Sequence, residues 1–483
     1  MAIGSGLGPF CLKGGPEQSR GPFRCACFQA ILALGFVARE AECSSRRPWE
    51  AILESSAMFE RLSPPWLNRD LRLLFVQRAL RSLTQAYLIV IVPIYLARLG
   101  FSAVQLGLLF AAASLWSAIL TAAVGLLADR YGRKPLLFLN ALLTAAGAAI
   151  FVFSTNYVVL LVAGALSTLG RGGGAGSGGA FGSYYPAEQA LIAEKAIDRE
   201  RTAVLGSLSF VGILAGAFGS LLALVPSGLR SLRGLSLQEG DRLLFGLTAI
   251  LGLVMAVVIL PVHEARPRRR PARGLAMFRL PLSPRTRSVV WRSAVTNLTN
   301  GLAVGFLGPF IVHSFLVRFG AGGAEQGLLF FFINVSAAVA NLFAARLALR
   351  LGEVNAVVTT RLMSVLLLAT LPLMPTFTLA AVLYLLRSIA NSISVPIRQS
   401  YLMGVVEPAE RASAAGLSSL PSQVAMSFTP TLAGYAIEMI SLAAPLELAA
   451  ALQAINAVLY YLLFRGIKPP EEMGPPGVGG EES

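Results

Sequence analysis

The chain has 483 residues, of which 55% are apolar and 13% charged, and its mean hydropathy is +0.67. A wetted surface needs about a quarter of its residues charged, so this balance argues against a water-soluble enzyme and against disordered, collagen-like or disulfide-scaffold classes. The net charge of +15 leaves nucleic acid, anionic lipid and membrane topology as readings, and the position of the charges must decide among them.

All four cysteines (Cys11, Cys25, Cys27, Cys43) lie within the first 43 residues, with neither metal-ligand spacing nor a secreted disulfide pattern. The apolar stretch 28–38 is too short for a span, and Arg39, Glu40 and Glu42 follow it in place of a small-residue cleavage site. Met58 opens a more conventional start. Residues 1–57 are therefore read as upstream sequence translated from an incorrect start, with a weakly ordered extension as the alternative.

From Leu73 onward, long apolar runs alternate with short polar breaks. Their lengths predict helical spans at 73–97, 104–128, 136–154, 158–191, 203–225, 243–262, 289–316, 327–349, 356–375, 379–396, 412–437 and 443–464. Each suits a helix crossing about 30 Å of hydrocarbon, and none has the ten-residue alternation of barrel strands. The predicted fold class is an all-α membrane protein of twelve transmembrane helices in two six-helix bundles.

Breaks after even-numbered spans, with their flanking turns, hold 19 cationic residues, among them Arg130, Arg133, Lys134, Lys195 and the run Arg266 to Arg273. Breaks after odd-numbered spans hold five: Arg98, Arg230, Arg233, Arg242 and Arg318. The positive-inside bias then puts both termini in the cytoplasm. The arginine run lies between spans with no aromatic interleaving, so no nucleic-acid partner is expected.

An internal repeat organises the whole chain. At an offset of 220, Arg98, Gly100, Gly107-Leu108-Leu109-Phe110, Arg130 and Gly132 recur as Arg318, Gly320, Gly327-Leu328-Leu329-Phe330, Arg350 and Gly352. Past the fourth span the offset is 210, with Pro186, Gln189, Glu200, Arg201, Gly206 and Ser209 recurring as Pro396, Gln399, Glu410, Arg411, Gly416 and Ser419. The predicted organisation is an N-terminal cytoplasmic extension (1–70), a first bundle (71–262), a basic cytoplasmic linker (263–288), a second bundle (289–464) and a disordered cytoplasmic tail (465–483). Halves duplicated this way, with a site between them, are a transporter architecture.

The break after span 2 reads Gly125-Leu126-Leu127-Ala128-Asp129-Arg130-Tyr131-Gly132-Arg133-Lys134. It resembles the signature loop of the major facilitator superfamily, G-x-L-A-D-R-x-G-R-K, at every specified position, and the likeness extends over residues 70–465. The resemblance implies a cytoplasmic latch formed by Gly125, Asp129, Arg130, Gly132, Arg133 and Lys134, with Glu188 or Glu194 as its acidic third member. In the second copy Leu349 replaces Asp129, so any latch there is degenerate. Span 4 carries Arg171 before a Gly-rich stretch, which resembles a motif of proton-coupled antiporters and implies proton or substrate handling. In span 5, Gly212 and Gly216 match an antiporter motif only in part, and close helix packing accounts for them.

Arg78, Arg81, Arg171, Arg361 and Arg387 lie within spans, whereas no Asp or Glu falls in the middle of one. These arginines are thus expected to lack carboxylate partners. Arg78, Arg81 and Arg361 are near enough to the cytoplasmic ends to snorkel; facing inward, they would suit an anion. The polar wall of a cavity would come from Gln85, Asn140, Asn297, Asn300, Asn334, Asn341, Asn391 and Gln423, each of which, taken alone, suits a helix-to-helix hydrogen bond better than a ligand contact. Only His263 and His313 are present, without metal spacing, so neither a metal nor a cofactor is expected.

The resemblance implies a secondary transporter of the inner (cytoplasmic) membrane that moves a small-molecule substrate by alternating access, as a monomer in the bilayer. Proton-coupled efflux is the leading expectation, with protons as coupling ion. Uptake or exchange of a small anion, and a non-transporting sensor or assembly protein, are the alternatives.

Overall fold

The computed structural model describes residues 68–167, 169, 184, 188, 191–192, 195, 201–264, 283–406 and 410–466, with the backbone alone at 122, 124–131, 201–203 and 411–413. The expected extension 1–57, Arg171, Glu194, the linker arginines 266–279 and the tail from 467 lie outside the described residues.

The helices are α1 (Arg69–Arg98), α2 (Ala103–Tyr131), α3 (Arg133–Phe153), α4 (Tyr157–Ser167), α5 (Arg201–Leu221), α6 (Val225–Arg233), α7 (Leu237–Ile259), α8 (Pro284–Phe319), α9 (Gly323–Leu351), α10 (Glu353–Thr370), α11 (Phe377–Val405), α12 (Arg411–Met439) and α13 (Ala444–Phe464). Among the described residues, ten helices are long and apolar enough to cross a membrane. Of the expected fourth span, 158–191, the described part is α4 together with residues 169, 184, 188 and 191. α12 fills the expected eleventh span and is as long as the others, but its Ser, Thr and Pro content makes it less apolar.

Helix ends follow local chemistry. Asn68 caps α1 by accepting from the Leu71 N–H at 2.9 Å, and Ser236 and Glu239 form a capping box on α7. Gly132 and its repeat mate Gly352 both precede a helix with positive φ, +93° and +78°, a backbone region that penalises any Cβ. α5 continues through a 3₁₀ turn into α6, α8 begins at Pro284, and α11 runs through Pro396 to Val405. Pro93, Pro309, Pro421 and Pro430 likewise sit inside helices.

Packing obeys the repeat. In the first half α1 packs on α5 and α7, α3 on α4 and α7, and α2 on α4. The mates do the same in the second half: α8 on α12 and α13, α10 on α11 and α13, α9 on α11. The halves meet through α2 with α12 and α5 with α9, two contacts that the repeat interconverts. The interconversion holds residue by residue. Gly107 lies against the Pro430 carbonyl, and its mate Gly327 would place a Cβ 2.7 Å from the carbonyl oxygen of Ser220, the mate of Pro430. A few residues outward, Gly434 abuts the Ala103 carbonyl and Gly323 that of Ala223. The halves are therefore in backbone contact at the face carrying the odd-numbered loops.

Candidate functional site

Two intramembrane clusters occupy the halves. In the first, Arg78 and Arg81 are one helical turn apart on α1 and so share a face. The Nη1 of Arg78 and the Nη2 of Arg81 both donate to Oε2 of Glu188, at 2.6 and 2.8 Å. All three residues are buried. The Arg81 guanidinium lies 4.8 Å from the ring centroid of Tyr184, one turn before Glu188, and the Tyr184 hydroxyl is 3.3 Å from Thr144 Oγ1 on α3. Gln77, beside Arg78 in sequence, is buried with neither amide atom hydrogen-bonded.

In the second cluster Arg361 of α10 donates through Nη2 to Asn300 Oδ1 of α8 at 3.0 Å and through Nη1 to Asn456 Oδ1 of α13. Asn456 in turn donates to the Thr299 hydroxyl at 2.6 Å. Arg387 of α11 is 6% exposed, with its guanidinium 5.6 Å from the Tyr384 ring. Arg361 also lies within electrostatic reach of Arg398 and Arg387.

These positions correct two expectations. Arg78, Arg81 and Arg361 are 1%, 5% and 3% exposed; they do not snorkel, because a carboxylate or amide oxygens receive them inside the bundle. Nor do all the buried arginines lack an acid: Glu188, expected as a latch residue, is the counter-ion of Arg78 and Arg81.

The amides divide between packing and open positions. Asn297 donates to the Ser418 carbonyl at 2.9 Å, tying α8 to α12, and Asn334 donates to Ser220 Oγ at 3.3 Å, tying α9 to α5 across the halves. Asn300 serves Arg361, and Asn140 is buried on α3. Gln85 Oε1 is buried without a hydrogen-bond partner, and Asn391 and Gln423 are half-buried. In span 5, the tight packing position is Gly219, against the Leu83 carbonyl, rather than Gly216, whose nearest neighbours are at ordinary distance.

Of the loop motif, Gly125, Asp129 and Arg130 belong to the helical backbone of α2, and their side chains lie outside the described residues. Glu264 was not foreseen. Its carboxylate accepts from the backbone N–H groups of Arg133, at 2.6 Å, and Lys134, at 3.0 Å, an anion on the positive end of α3. Lys134 Nζ donates to the Leu260 carbonyl, so the motif is bound to the end of α7. Asp70 pairs with Lys195 at 2.9 Å on the same face. On the opposite face Arg98 pairs with the fully buried Asp241 at 2.6 Å.

A helical membrane protein in two repeat-related bundles, each with a buried polar cluster, is built as a transporter. A family model described as Major Facilitator Superfamily matches residues 74–317 and 293–482, and the chain belongs to that superfamily: it is a transporter of small molecules, not an enzyme. Among its relatives, the uncharacterized membrane protein YJR124C of Saccharomyces cerevisiae is 21% identical over 397 residues, 76% of this chain and 88% of that one. The multidrug resistance protein MdtG of Citrobacter koseri is 28% identical over 342 residues, 68% of this chain and 77% of that one. A bacterial homolog of the human lysosomal transporter Spinster, solved inward-facing and unoccupied, shares the fold with a TM-score of 0.63 at 15% identity, covering 83% of this chain and 98% of that chain.

Proposed function

We propose that this transporter exports a small molecule across the cytoplasmic membrane in exchange for protons, with Glu188 as the proton-binding group. The observation that carries the reading is one buried carboxylate oxygen shared by Arg78 and Arg81. With Glu188 ionised, its charge holds the two guanidinium groups together. Protonation removes that charge and leaves two like charges in a low-dielectric interior, a state that favours separating α1 from the segment bearing Glu188. α1 also packs on α8 and α9 of the other half, so its movement reaches the interface that must open and close. The relative MdtG, a multidrug resistance protein, supports an export reading. The cytoplasmic termini follow from the charge bias of the loops.

The test uses everted membrane vesicles carrying an established pH gradient, read by a quenched pH-sensitive dye. Adding a fluoroquinolone, ethidium or a small organic anion as cargo is expected to release protons from wild-type vesicles, and Glu188→Gln is expected to abolish the release. Cargo movement that is indifferent to the pH gradient would overturn the reading.

A further inference from the structure

We propose that the second half carries a binding site for a carboxylate or phosphate group, built on Arg387 and Arg361 with Arg398 beside them. Among the described residues Arg387 meets Tyr384 alone, and Arg361 meets only the neutral oxygens of Asn300 and Asn456. Among the described residues no carboxylate reaches either of them, although Arg361 lies within electrostatic reach of both Arg398 and Arg387. The Nε atoms of all three are buried without an acceptor. An arginine does not shed its proton to escape burial, and each cation inside a membrane costs about 3 kcal/mol on insertion scales. Two buried guanidinium groups there, with Arg398 beside them toward the helix end, therefore call for an anion.

The repeat shows where that anion differs from the first half. At the 210 offset, Pro186-Ala187-Glu188-Gln189 aligns with Pro396-Ile397-Arg398-Gln399. The position that supplies a resident carboxylate to Arg78 and Arg81 supplies another cation here, so the mated position gives this cluster no counter-charge. A planar guanidinium fork binds the two oxygens of a carboxylate or phosphate in parallel, and the buried Tyr384 ring lies 5.6 Å from the Arg387 guanidinium. Assigning this group to the exported cargo rests on the export reading above; the binding itself does not.

The test is equilibrium binding to the full chain in phosphatidylcholine nanodiscs, with succinate, benzoate and inorganic phosphate as probes and glucose and tetraethylammonium as controls. At least one anion is expected to bind and neither control is. Arg387→Gln is expected to weaken that binding roughly tenfold to a hundredfold, the range for a lost hydrogen bond to a charged group. Arg387→Lys, which keeps the charge and loses the fork, is expected to fall between them. Discs containing phosphatidylglycerol separate the two sources of the same chemistry. Competition that Arg387→Gln abolishes assigns the site to a lipid headgroup, and undiminished binding assigns it to a soluble anion. Absence of anion binding in the wild type, or equal binding in a folded Arg387→Gln, overturns the site. Anion binding is read at equilibrium in discs and proton coupling by dye in vesicles, so failure of proton coupling and failure of the anion site give different results.

Discussion

The two halves share their packing and differ in their charges. Mated helices pair in the same way, and even the inter-half contacts Gly107–Pro430 and Gly327–Ser220 are copies of one another. Inside that common frame, the first half closes two arginines on Glu188, whereas in the second Arg361 lies near Arg387 and Arg398 and, among the described residues, is met only by neutral oxygens. Duplication preserves the shape that two bundles need in order to rock against each other. It leaves the interior of each bundle free to take a different chemical task, which we propose to be a proton in one and an anion in the other.

The largest expected effect comes from removing the feature that separates the halves. Glu188→Ala removes the carboxylate that Arg78 and Arg81 share and is expected to cost about 3–5 kcal/mol, read as a lower thermal midpoint in detergent. Combining it with Arg78→Gln is expected to recover part of the loss, and a simple sum of the two losses would break the pairing. By contrast, Arg398→Glu installs the first half's carboxylate at the mated position. It is expected to leave stability equal or higher while abolishing anion binding.

Next in size are the interface glycines. Gly107→Leu and Gly327→Leu each force a side chain into backbone, an overpacking of about 1–3 kcal/mol, and both are expected to keep the odd-loop face from closing. Cysteine accessibility on that face should rise alike in the two variants, and a one-sided result would show the interface to be less symmetric than its backbone. Gly132→Ala and Gly352→Ala share a positive-φ, extended-ψ penalty of about 1–3 kcal/mol. Gly132→Ala is expected to be the worse, because its Cβ would stand 2.8 Å from Glu264 Oε2. Equal losses would remove Glu264 from the account of the loop.

The smallest effect concerns Glu410, whose carboxylate accepts from the Ser283 N–H at 2.8 Å. Hydrogen bonding from the Thr286 hydroxyl, and then from that N–H, holds its carboxyl below the ordinary value of 4.5. A carboxyl depressed in the folded state stabilises the protein above its unfolded-state value, and the benefit disappears as pH falls through the folded one. The thermal midpoint of Glu410→Gln is therefore expected to depend less on pH below about 4.5 than that of the wild type.

Much of the frame was legible before any coordinates. Long apolar runs set the helices, and the paired offsets foretold which helices would be mates. The sites were less legible, for definite reasons. Glu188 sits beyond a glycine tract that blurs the register of span 4, so its place opposite α1 has no local signal. The Arg361–Asn300–Asn456 contact joins three helices distant in sequence, and an amide on an apolar helix looks the same whether it serves an arginine or a neighbouring carbonyl. Glu264 follows the last apolar residues of its span and reads as linker, yet it caps α3 across 130 residues or more. The repeat itself held the clue to the electrostatic difference, in the change from Glu188 to Arg398 within an otherwise matching stretch.

The division of labour is tested most directly by measuring proton release on cargo addition in vesicles containing Glu188→Gln, with binding of the same cargo verified on the purified variant. The account predicts that binding persists while proton release is lost. Proton release at the wild-type level from a variant that still binds cargo would contradict it.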